Sequence, residues 1–491
     1  MIDVLKTNLS SLEYPGAEHD HNWRQLVFPK NHQNPNPKTQ YHLVVIGAGP
    51  AGLITAIAAA GLGAKVALVE QKGMGGDCLN VGCVPSKALL EFTQRASSPN
   101  FDDAFTWLRQ VRESIAKTDS VARYLAHGVD VFLGSGKFVD GQTVQVGEHR
   151  LVTRRTVVAT GSRPTLPQIP GLAESNPLTN ESLFDLLEAP DRLAVLGAGA
   201  VGCELAQALA RLGIEINLFE TANTILPMEH AKASASIADA LIAINVKLHT
   251  KSQVTEIKQT GSHVTVFTAK TRTTVDRVLV AAGRQANIEN LCLEAAGVKL
   301  RNGLISVDSK LRTTNSNVFA AGDVCSLLKY THNADAHARI VVQNALFIPT
   351  ATTTKLVIPH CTYTDPEVAR IGLTREELQN LKTPYEVYHI ELGELDRSQT
   401  EGDKEGFVEV LTSKGKDKIL GATIVARDAG EQITPICVAM ANGLGLRALG
   451  KAIIPYPTRG EYVGRLADAY NRKRITPAVK RFMKTWFQLV R

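Results

Sequence analysis

Two cysteines five residues apart, Cys78 and Cys83, stand in the segment Gly75-Gly-Asp-Cys78-Leu-Asn-Val-Gly-Cys83-Val-Pro-Ser-Lys87. Two thiols at short spacing can exchange electrons, contribute half of a zinc site, or lie inert in a core. On a continuous helix they would be about 7.5 Å apart along the axis, and a disulfide rarely bridges Cα atoms more than about 7 Å apart. A pair that reacts together therefore needs a distorted chain, which Gly82 permits. A helix beginning near Cys83 would lower its thiol pKa and favour the thiolate. Zinc would need further ligands, and no second cysteine pair has metal-ligand spacing, so no metal site is expected. Inert buried thiols would leave the flanking glycines and Lys87 without a purpose.

Two glycine-rich turns carry a second chemistry. Gly47-Ala-Gly49-Pro-Ala-Gly52 and Gly197-Ala-Gly199-Ala-Val-Gly202 are each followed, 23 residues after the first glycine, by an acid, Glu70 and Glu220. The first glycine permits a tight turn, the second lets backbone approach a pyrophosphate, and the third lets helix pack on strand. The phosphates then meet a helix N-terminus, whose N–H groups and dipole favour anions. Each acid would accept hydrogen bonds from a ribose. A carboxylate at Glu220, with no Arg close behind it, disfavours a 2′-phosphate, so NADH is expected over NADPH at the second site.

The elements that must position these residues are legible around them. His42-Leu-Val-Val-Ile46 reads as a strand, a small-residue helix runs through Ala60, and Lys65-Val-Ala-Leu-Val-Glu70 is the next strand. The same β-turn-α-β pattern returns over Leu193–Leu196, Cys203–Leu212 and Glu215–Glu220. Beyond about residue 350 the fingerprints stop, and Val-rich strands (406–411 and 419–425) alternate with helices, as in an α+β domain. Residues 1–40 are polar and rich in Asn, His and Pro, which reads as an irregular arm. A chain of 491 residues has room for roughly three domains. Its net charge of +6 is too mild for nucleic-acid binding but suits phosphate-bearing cofactors. Seven scattered cysteines do not make a disulfide scaffold. The first forty residues lack the apolar core of a secretory leader, and no stretch of about 18 apolar residues suggests a membrane span. A cytoplasmic enzyme is expected.

The cysteine segment closely resembles the redox motif of the class I pyridine nucleotide-disulfide oxidoreductases, the family of dihydrolipoamide dehydrogenase, glutathione reductase and mercuric reductase. The resemblance spans roughly residues 41–470. Ala159-Thr160-Gly161-Ser-Arg-Pro164 is similar to the strand-turn that closes over FAD, and Ala282-Gly283-Arg284-Gln-Ala-Asn287 to the family's GRxPN stretch. Asn317-Val-Phe-Ala-Ala-Gly322-Asp323 resembles the segment whose Asp binds the flavin ribityl chain. Tyr330-Thr-His332 falls where backbone lines the flavin, and Gly134-Ser-Gly136 resembles an adenine-side contact. The resemblance implies an α/β protein with two Rossmann-like dinucleotide-binding domains and a C-terminal α+β dimerisation domain. The divisions expected are 41–170 with 300–350 for FAD, 171–299 for NAD(P)H and 351–470 for dimerisation. It also implies a redox-active Cys78–Cys83 disulfide. Cys78 would be the interchange thiol that meets substrate, and Cys83 the charge-transfer thiol against the flavin. Lys87 would lie near the flavin N5 and pair with Glu204. A homodimer is implied, in which the C-terminal domain of one subunit completes the site of the other.

One departure stands out. Dithiol-using members carry a C-terminal His-Pro-Thr-x-x-Glu as acid/base; here the stretch is Tyr456-Pro-Thr-Arg-Gly-Glu461. A His titrates near neutrality, whereas a Tyr near pKa 10 mainly donates. Mercuric reductase also has a Tyr in this stretch, and the chain looks most like that subgroup. Unlike that enzyme it has no cysteine after Cys437 and no N-terminal metal-binding CxxC. The leading expectation is therefore an NAD(P)H-oxidising flavoenzyme with a small-molecule acceptor: a metal ion, a quinone or a small electrophile. The alternatives are a dihydrolipoamide dehydrogenase and a redox-sensing flavoprotein. The five other cysteines are expected to be small buried hydrophobes. Finally, Thr476-Pro477 opens a helix in which Val479, Phe482, Met483, Trp486, Phe487 and Val490 share one face, with Lys480, Arg481, Lys484 and Arg491 on the other. Residues 471–491 thus read as an amphipathic basic helix that packs on the body or a partner subunit, or lies on a membrane.

Overall fold

Strands Tyr41–Ile46 and Val66–Glu70 are buried along nearly their whole length, as strands of a parallel sheet covered on both faces must be. The computed structural model describes residues 14–490. Residues 1–13 of the expected arm, and Arg491 of the expected tail helix, lie outside the described residues. The chain divides into two compact units: one runs through Asn223 and resumes over Ile244–Thr354, and the other joins Thr224–Ala243 to the chain from Lys355 onward.

In the first unit, Val129–Leu133, Val66–Glu70, Tyr41–Ile46 and His149–Val158 lie side by side in parallel, and Val318–Ala320 adds a further parallel strand beside His149–Val158. A hairpin of Gly136–Asp140 and Thr143–Val146 completes this sheet. A second parallel sheet orders Lys247–His249, Glu215–Phe219, Arg192–Leu196 and Arg277–Val280. The two sheets repeat one design. Gly47 N donates to Val69 O and Gly197 N to Phe219 O, both at 2.8 Å; Ala159 N donates to Ile46 O and Ala281 N to Leu196 O, again both at 2.8 Å.

The helices that matter for the site in this unit are α1 (Ala17–Val27), α2 (Pro50–Gly61), α3 (Gly76–Asn80), α4 (Cys83–Arg95), α5 (Phe101–Ala116), α6 (Ala200–Arg211) and α7 (Thr331–Leu346). The existence of α1 corrects the expectation of an irregular arm over residues 1–40. Ala17, Asp20, Trp23 and Val27 recur about every third or fourth residue and are all buried. Asp20 accepts from Arg109 Nε at 3.0 Å and from Arg112 Nη2 at 2.5 Å, both on α5. The Arg112 guanidinium lies 3.8 Å from the Trp23 ring centre. Sequence alone shows no apolar stripe here, because one of the four inward positions is an acid whose counter-ions come some ninety residues later.

The second unit is built on an antiparallel sheet ordered His360–Thr362, Glu367–Gly372, Ile419–Ala426, Phe407–Ser413, Tyr385–Glu391. Its core is closed by Tyr462, Val463, Leu466 and Tyr470 of α8 (Tyr462–Lys473). The last helix, α9 (Pro477–Leu489), begins at the expected cap, where Thr476 Oγ1 accepts from Val479 N. Residues 224–243, which the sequence reading placed within 171–299, group with this unit instead. Ion pairs within the unit account for it: Glu229 with His360 and Arg370, and His230 with the buried Glu409. No helix among the described residues is long and apolar enough to cross a membrane.

The buried Asp20–Arg109–Arg112 group makes a testable demand. Burial raises the Asp20 pKa, but the Arg112 and Arg109 guanidiniums more than offset this and hold it below the usual carboxylate range. Asp20→Ala leaves two buried cations without their counter-ion and should cost about 3–5 kcal/mol, read as a lower urea midpoint. Because the folded pKa is depressed, the contribution should be complete above about pH 4 and lost as pH falls through the folded value. Unchanged urea midpoints for the variant at neutral pH would remove α1 from the stability of this unit.

Candidate active site

The helix carrying the thiols is interrupted. α3 ends at Asn80 and α4 begins at Cys83, with Val81 and Gly82 between. A Cβ on Gly82 would stand 2.7 Å from Asp77 O and 3.4 Å from the Cys78 Cα, so only glycine lets the chain double back so closely. The break places Cys83 in the first turn of α4, where the helix dipole favours negative charge. Both cysteines are free thiols in this structure, hydrogen-bonded to each other.

Their acidities are pushed apart. The hydrogen bond from Cys78 is the largest influence on Cys83; against the cost of burial, and with help from Thr331 and Lys87, its pKa falls to about 6. Cys78 moves the opposite way, raised first by that same hydrogen bond and then by burial. The pair therefore holds one proton near neutrality, on Cys78. Cys83 Sγ lies 3.5 Å from Thr331 Oγ1 at the start of α7. Thr331 was not singled out from the sequence, although it sits inside the quoted Tyr330-Thr-His332 stretch. One turn along α4, Lys87 Nζ reaches Glu204 Oε2 of α6 at 2.6 Å, with the carboxylate almost wholly buried. Segments 117 residues apart are joined there as the sequence expected.

The segment bearing Cys78 is held from three sides. Asp77, on α3, pairs with Arg284, whose Nε also donates to Ser162 Oγ at 2.8 Å. Ser162 Oγ in turn donates to Asp323 Oδ2 at 2.6 Å. Asn80 accepts from Trp23 Nε1 at 2.8 Å and donates to Met74 O and Gly76 O. Arg112 Nη1 donates to Asn80 O at 3.1 Å. Thus α1 braces the very helix that carries Cys78.

The two glycine turns fit dinucleotide phosphates. Neither α2 nor α6 has a side chain capping its N-terminus, so their first amides are donors in need of acceptors. A Cβ on Gly52 would fall 1.8 Å from Gly47 O, and one on Gly202 1.9 Å from Gly197 O, so each helix crosses its own turn at a distance only glycine allows. Glu70 and Glu220 do a job the sequence reading did not foresee. Glu70 accepts from Ala48 N at 2.7 Å and Glu220 from Ala198 N at 2.9 Å, each bracing its turn. Each also accepts from backbone just beyond it, Glu70 from Lys72 and Gly73, Glu220 from Ala222. A carboxylate offers about four acceptor sites, which leaves room for a ribose.

The remaining expected contacts are dispersed around this frame. Thr160 Oγ1 donates to Asn287 O at 2.7 Å, beside Gly161. Gly283, next to Arg284, adopts φ +109°, and Gly136 packs on Val69 and Ile46. Gly322 N donates to the buried His337. His332 is exposed and stacks on Tyr330. Of the other cysteines only Cys203 is fully buried; Cys292 is exposed and Cys325, Cys361 and Cys437 are half-buried, which corrects the expectation of five buried hydrophobes.

Tyr456 and Glu461 belong to the second unit. Tyr456 Oη donates to Asp396 Oδ2 at 2.8 Å, and that bond raises the phenol's pKa. Arg465 lies between the two acids, 2.6 Å from Glu461 and 3.6 Å from Asp396. Glu461 Oε2 is buried with no partner among the described residues. Asp396 and Arg465 carried no signal in the sequence. No cluster of metal-ligating side chains occurs among the described residues.

Family models meet the chain in two blocks: pyridine nucleotide-disulphide oxidoreductase over residues 41–338, and the dimerisation domain of the same family over residues 358–467. Mercuric reductase of Staphylococcus aureus is 30% identical over 482 residues, covering 94% of this chain and 87% of that one. Dihydrolipoyl dehydrogenase of Chlamydia trachomatis is 31% identical over 441 residues, covering 86% and 95%. Among solved structures, the HOCl-induced flavoprotein disulfide reductase RclA of Escherichia coli superposes with a TM-score of 0.81 at 27% identity, covering 87% and 99%. RclA has also been solved as a Cu(II) complex, with a TM-score of 0.82 at 27% identity, covering 88% and 100%.

The split acidities can be tested on the reduced protein. Alkylation of Cys83, followed by mass spectrometry against pH, should reach half its maximal rate near pH 6. Cys78→Ala removes the largest acidifying contact and should move that midpoint upward. Lys87→Met should move it less in the same direction. Profiles that superimpose for all three proteins would mean that neither neighbour sets the thiolate.

Proposed function

We propose, from the premise that the chain belongs to the pyridine nucleotide-disulphide oxidoreductase family, that Cys78 and Cys83 form the redox pair through which it passes electrons from NADH to a small acceptor. The chain is an FAD-dependent enzyme, and the family uses FAD with NAD(P)H. The observation that carries the reading is the opposed acidity of two thiols brought together at a helix break, beside the half-buried Lys87 and its buried partner Glu204.

Bound FAD supplies a two-electron relay between the nicotinamide and the thiols. Gly47, Gly49, Gly52, Glu70, Gly136, Thr160, Gly161, Gly322, Asp323 and His332 would hold it, with the uncapped α2 terminus at its phosphates. Gly197, Gly199, Gly202, Glu220, Gly283 and Arg284 would hold the nicotinamide dinucleotide at the uncapped α6 terminus. Lys87 keeps a positive charge beside Cys83, and Glu204 fixes where that charge sits. The contact of Cys83 with Thr331, within the stretch that resembles the flavin-lining backbone, supports Cys83 as the charge-transfer thiol. Cys78, which keeps its proton, is then the thiol that meets the acceptor.

The turnover balances without an external base. NADH and the disulfide become NAD⁺, one thiol at Cys78 and one thiolate at Cys83. The acceptor takes two electrons, the S–S bond re-forms, and the Cys78 proton leaves with the product or to water. Metal ions and quinones need no further proton handling at the thiols, whereas a disulfide substrate must have its departing thiol protonated. Such exchange also needs Cys78 deprotonated for attack, and Tyr456, kept protonated by its bond to Asp396, cannot take that proton, which favours the first class over lipoamide or glutathione disulfide. The dimerisation-domain match supports a homodimer, in which Tyr456 and Glu461 of one protomer would serve the thiols of the other.

General acid–base help is worth about 10²–10⁴-fold. With NADH in steady state, wild-type reduction of lipoamide should therefore trail reduction of a quinone or a soft metal ion by roughly a hundredfold or more. Tyr456→His should raise lipoamide turnover, since Glu461 Oε2 has no partner among the described residues and is available to orient an imidazole. Rapid lipoamide turnover by the wild type would establish a dithiol enzyme with another base. The braced Glu220 should also make NADH better than NADPH in kcat/KM, and the reverse order would refute its assigned place at the ribose.

A further inference from the structure

The C-terminal helix α9 shows no buried residue along its length. Its apolar residues are nonetheless large: Phe482 is 67% exposed, Trp486 50% and Phe487 60%, joined by Val479, Met483 and Val490. At 100° per residue these six fall within an arc of about 140°. Lys480 and Lys484 border that arc, and Arg481 lies on the far side. The match to the dimerisation-domain model ends at residue 467, before α9 begins.

Charge says what covers this face. The last twenty residues hold Arg472, Lys473, Arg474, Lys480, Arg481, Lys484 and Arg491, and no Asp or Glu. Without those seven basic residues, the chain's formal charge of +6 becomes −1. The whole positive excess of the protein is therefore gathered at its end. Two copies of α9 packed face to face would bring two such acid-free segments together, which repel. A surface that is apolar within and anionic at its boundary matches both faces at once. The helix is 13 residues long, about 20 Å, too short for a hydrocarbon core of about 30 Å.

We infer that α9 docks the enzyme on an anionic lipid bilayer. It lies in the plane of the interface, with Phe482, Met483, Trp486 and Phe487 among the acyl chains. Lys480 and Lys484 extend their stems along the apolar boundary and place their ammonium groups at lipid phosphates. Just before the helix, Lys473 and Arg474 share Glu386 as counter-ion, so the turn Arg472–Arg474 adds less to this field than the helix does. The enzyme body stays in water, held by a reversible contact that weakens with salt.

The test uses the full-length, FAD-loaded protein and sedimentation with vesicles. Vesicles of phosphatidylglycerol mixed with phosphatidylcholine should bring the enzyme down at low ionic strength. Phosphatidylcholine alone, or the mixed vesicles in molar salt, should not. Lys480→Gln/Arg481→Gln/Lys484→Gln should weaken binding roughly a hundredfold, and Phe482→Ser/Trp486→Ser/Phe487→Ser should abolish it, while both keep wild-type NADH-driven ferricyanide reduction and remain the same oligomer in analytical ultracentrifugation. Failure of the wild type to sediment with the mixed vesicles would overturn the inference. So would variants that sediment like the wild type. If the aromatic variant instead dissociates into smaller species, α9 is an interface between protomers and the membrane reading falls.

Discussion

A thiol pair five residues apart on one helix cannot meet, and the first unit is organised around the break at Val81–Gly82 that removes this obstacle. Because Gly82 has no Cβ, Asp77 O can lie where one would be, and α3 folds back against the start of α4. Each end of the break is then anchored. On the α3 side, Asp77 is tied through Arg284 and Ser162 to Asp323, and Asn80 is tied to α1. On the α4 side, Lys87 is tied to Glu204 of the second glycine-turn helix. The two dinucleotide-binding halves therefore meet at the redox pair. A shift in either half would be felt at the sulfurs through a short chain of charged hydrogen bonds.

The same arrangement settles where protons reside. Cys78 and Cys83 share one proton by a hydrogen bond that makes one thiol a poorer acid and the other a better one. Such coupled titration belongs to the pair rather than to either residue. In the second unit Tyr456 donates to Asp396, and Glu461 pairs with Arg465. There the bond to Asp396 stabilises the phenol in its protonated form, so Tyr456, like Cys78, keeps its proton near neutrality and cannot take up another group's. On the function proposed above, this common bias, more than the identity of residue 456 alone, disfavours exchange with disulfides, which needs the attacking thiol deprotonated.

What could be read from the sequence was whatever depends on neighbours in the chain. The glycine turns, their acids at 23-residue spacing and the cysteine segment with Lys87 are local grammar, and they stand in the structure at strand ends and helix starts. The bracing of each turn by Glu70 and Glu220 was not visible, because it is a contact across the turn rather than a residue preference. Helix α1 was missed for a physical reason: burial of Asp20 makes sense only with Arg109 and Arg112 in view. Thr331, Asp396 and Arg465 are ordinary residues made functional candidates by what the fold places beside them. The grouping of residues 224–243 with the second unit likewise rests on ion pairs between distant positions, among them Glu229 with His360.

The two glycine turns differ in one respect, and it bears on how long each would keep its occupant. Over the first turn a second segment passes: Gly75 N donates to Ala48 O at 2.8 Å, and Gly76 Cα lies 3.8 Å from where a Cβ on Gly49 would be. Over the second turn no atom of the described residues comes within 4 Å of the same place at Gly199. A dinucleotide held at the first turn would lie beside this crossing segment, whereas one at the second would have a more open approach. On the assignment proposed above, identical frames thus divide into a permanent resident and a visitor. Residence time is set by the roof over the turn, and the redox helix that carries Cys78 is itself part of that roof.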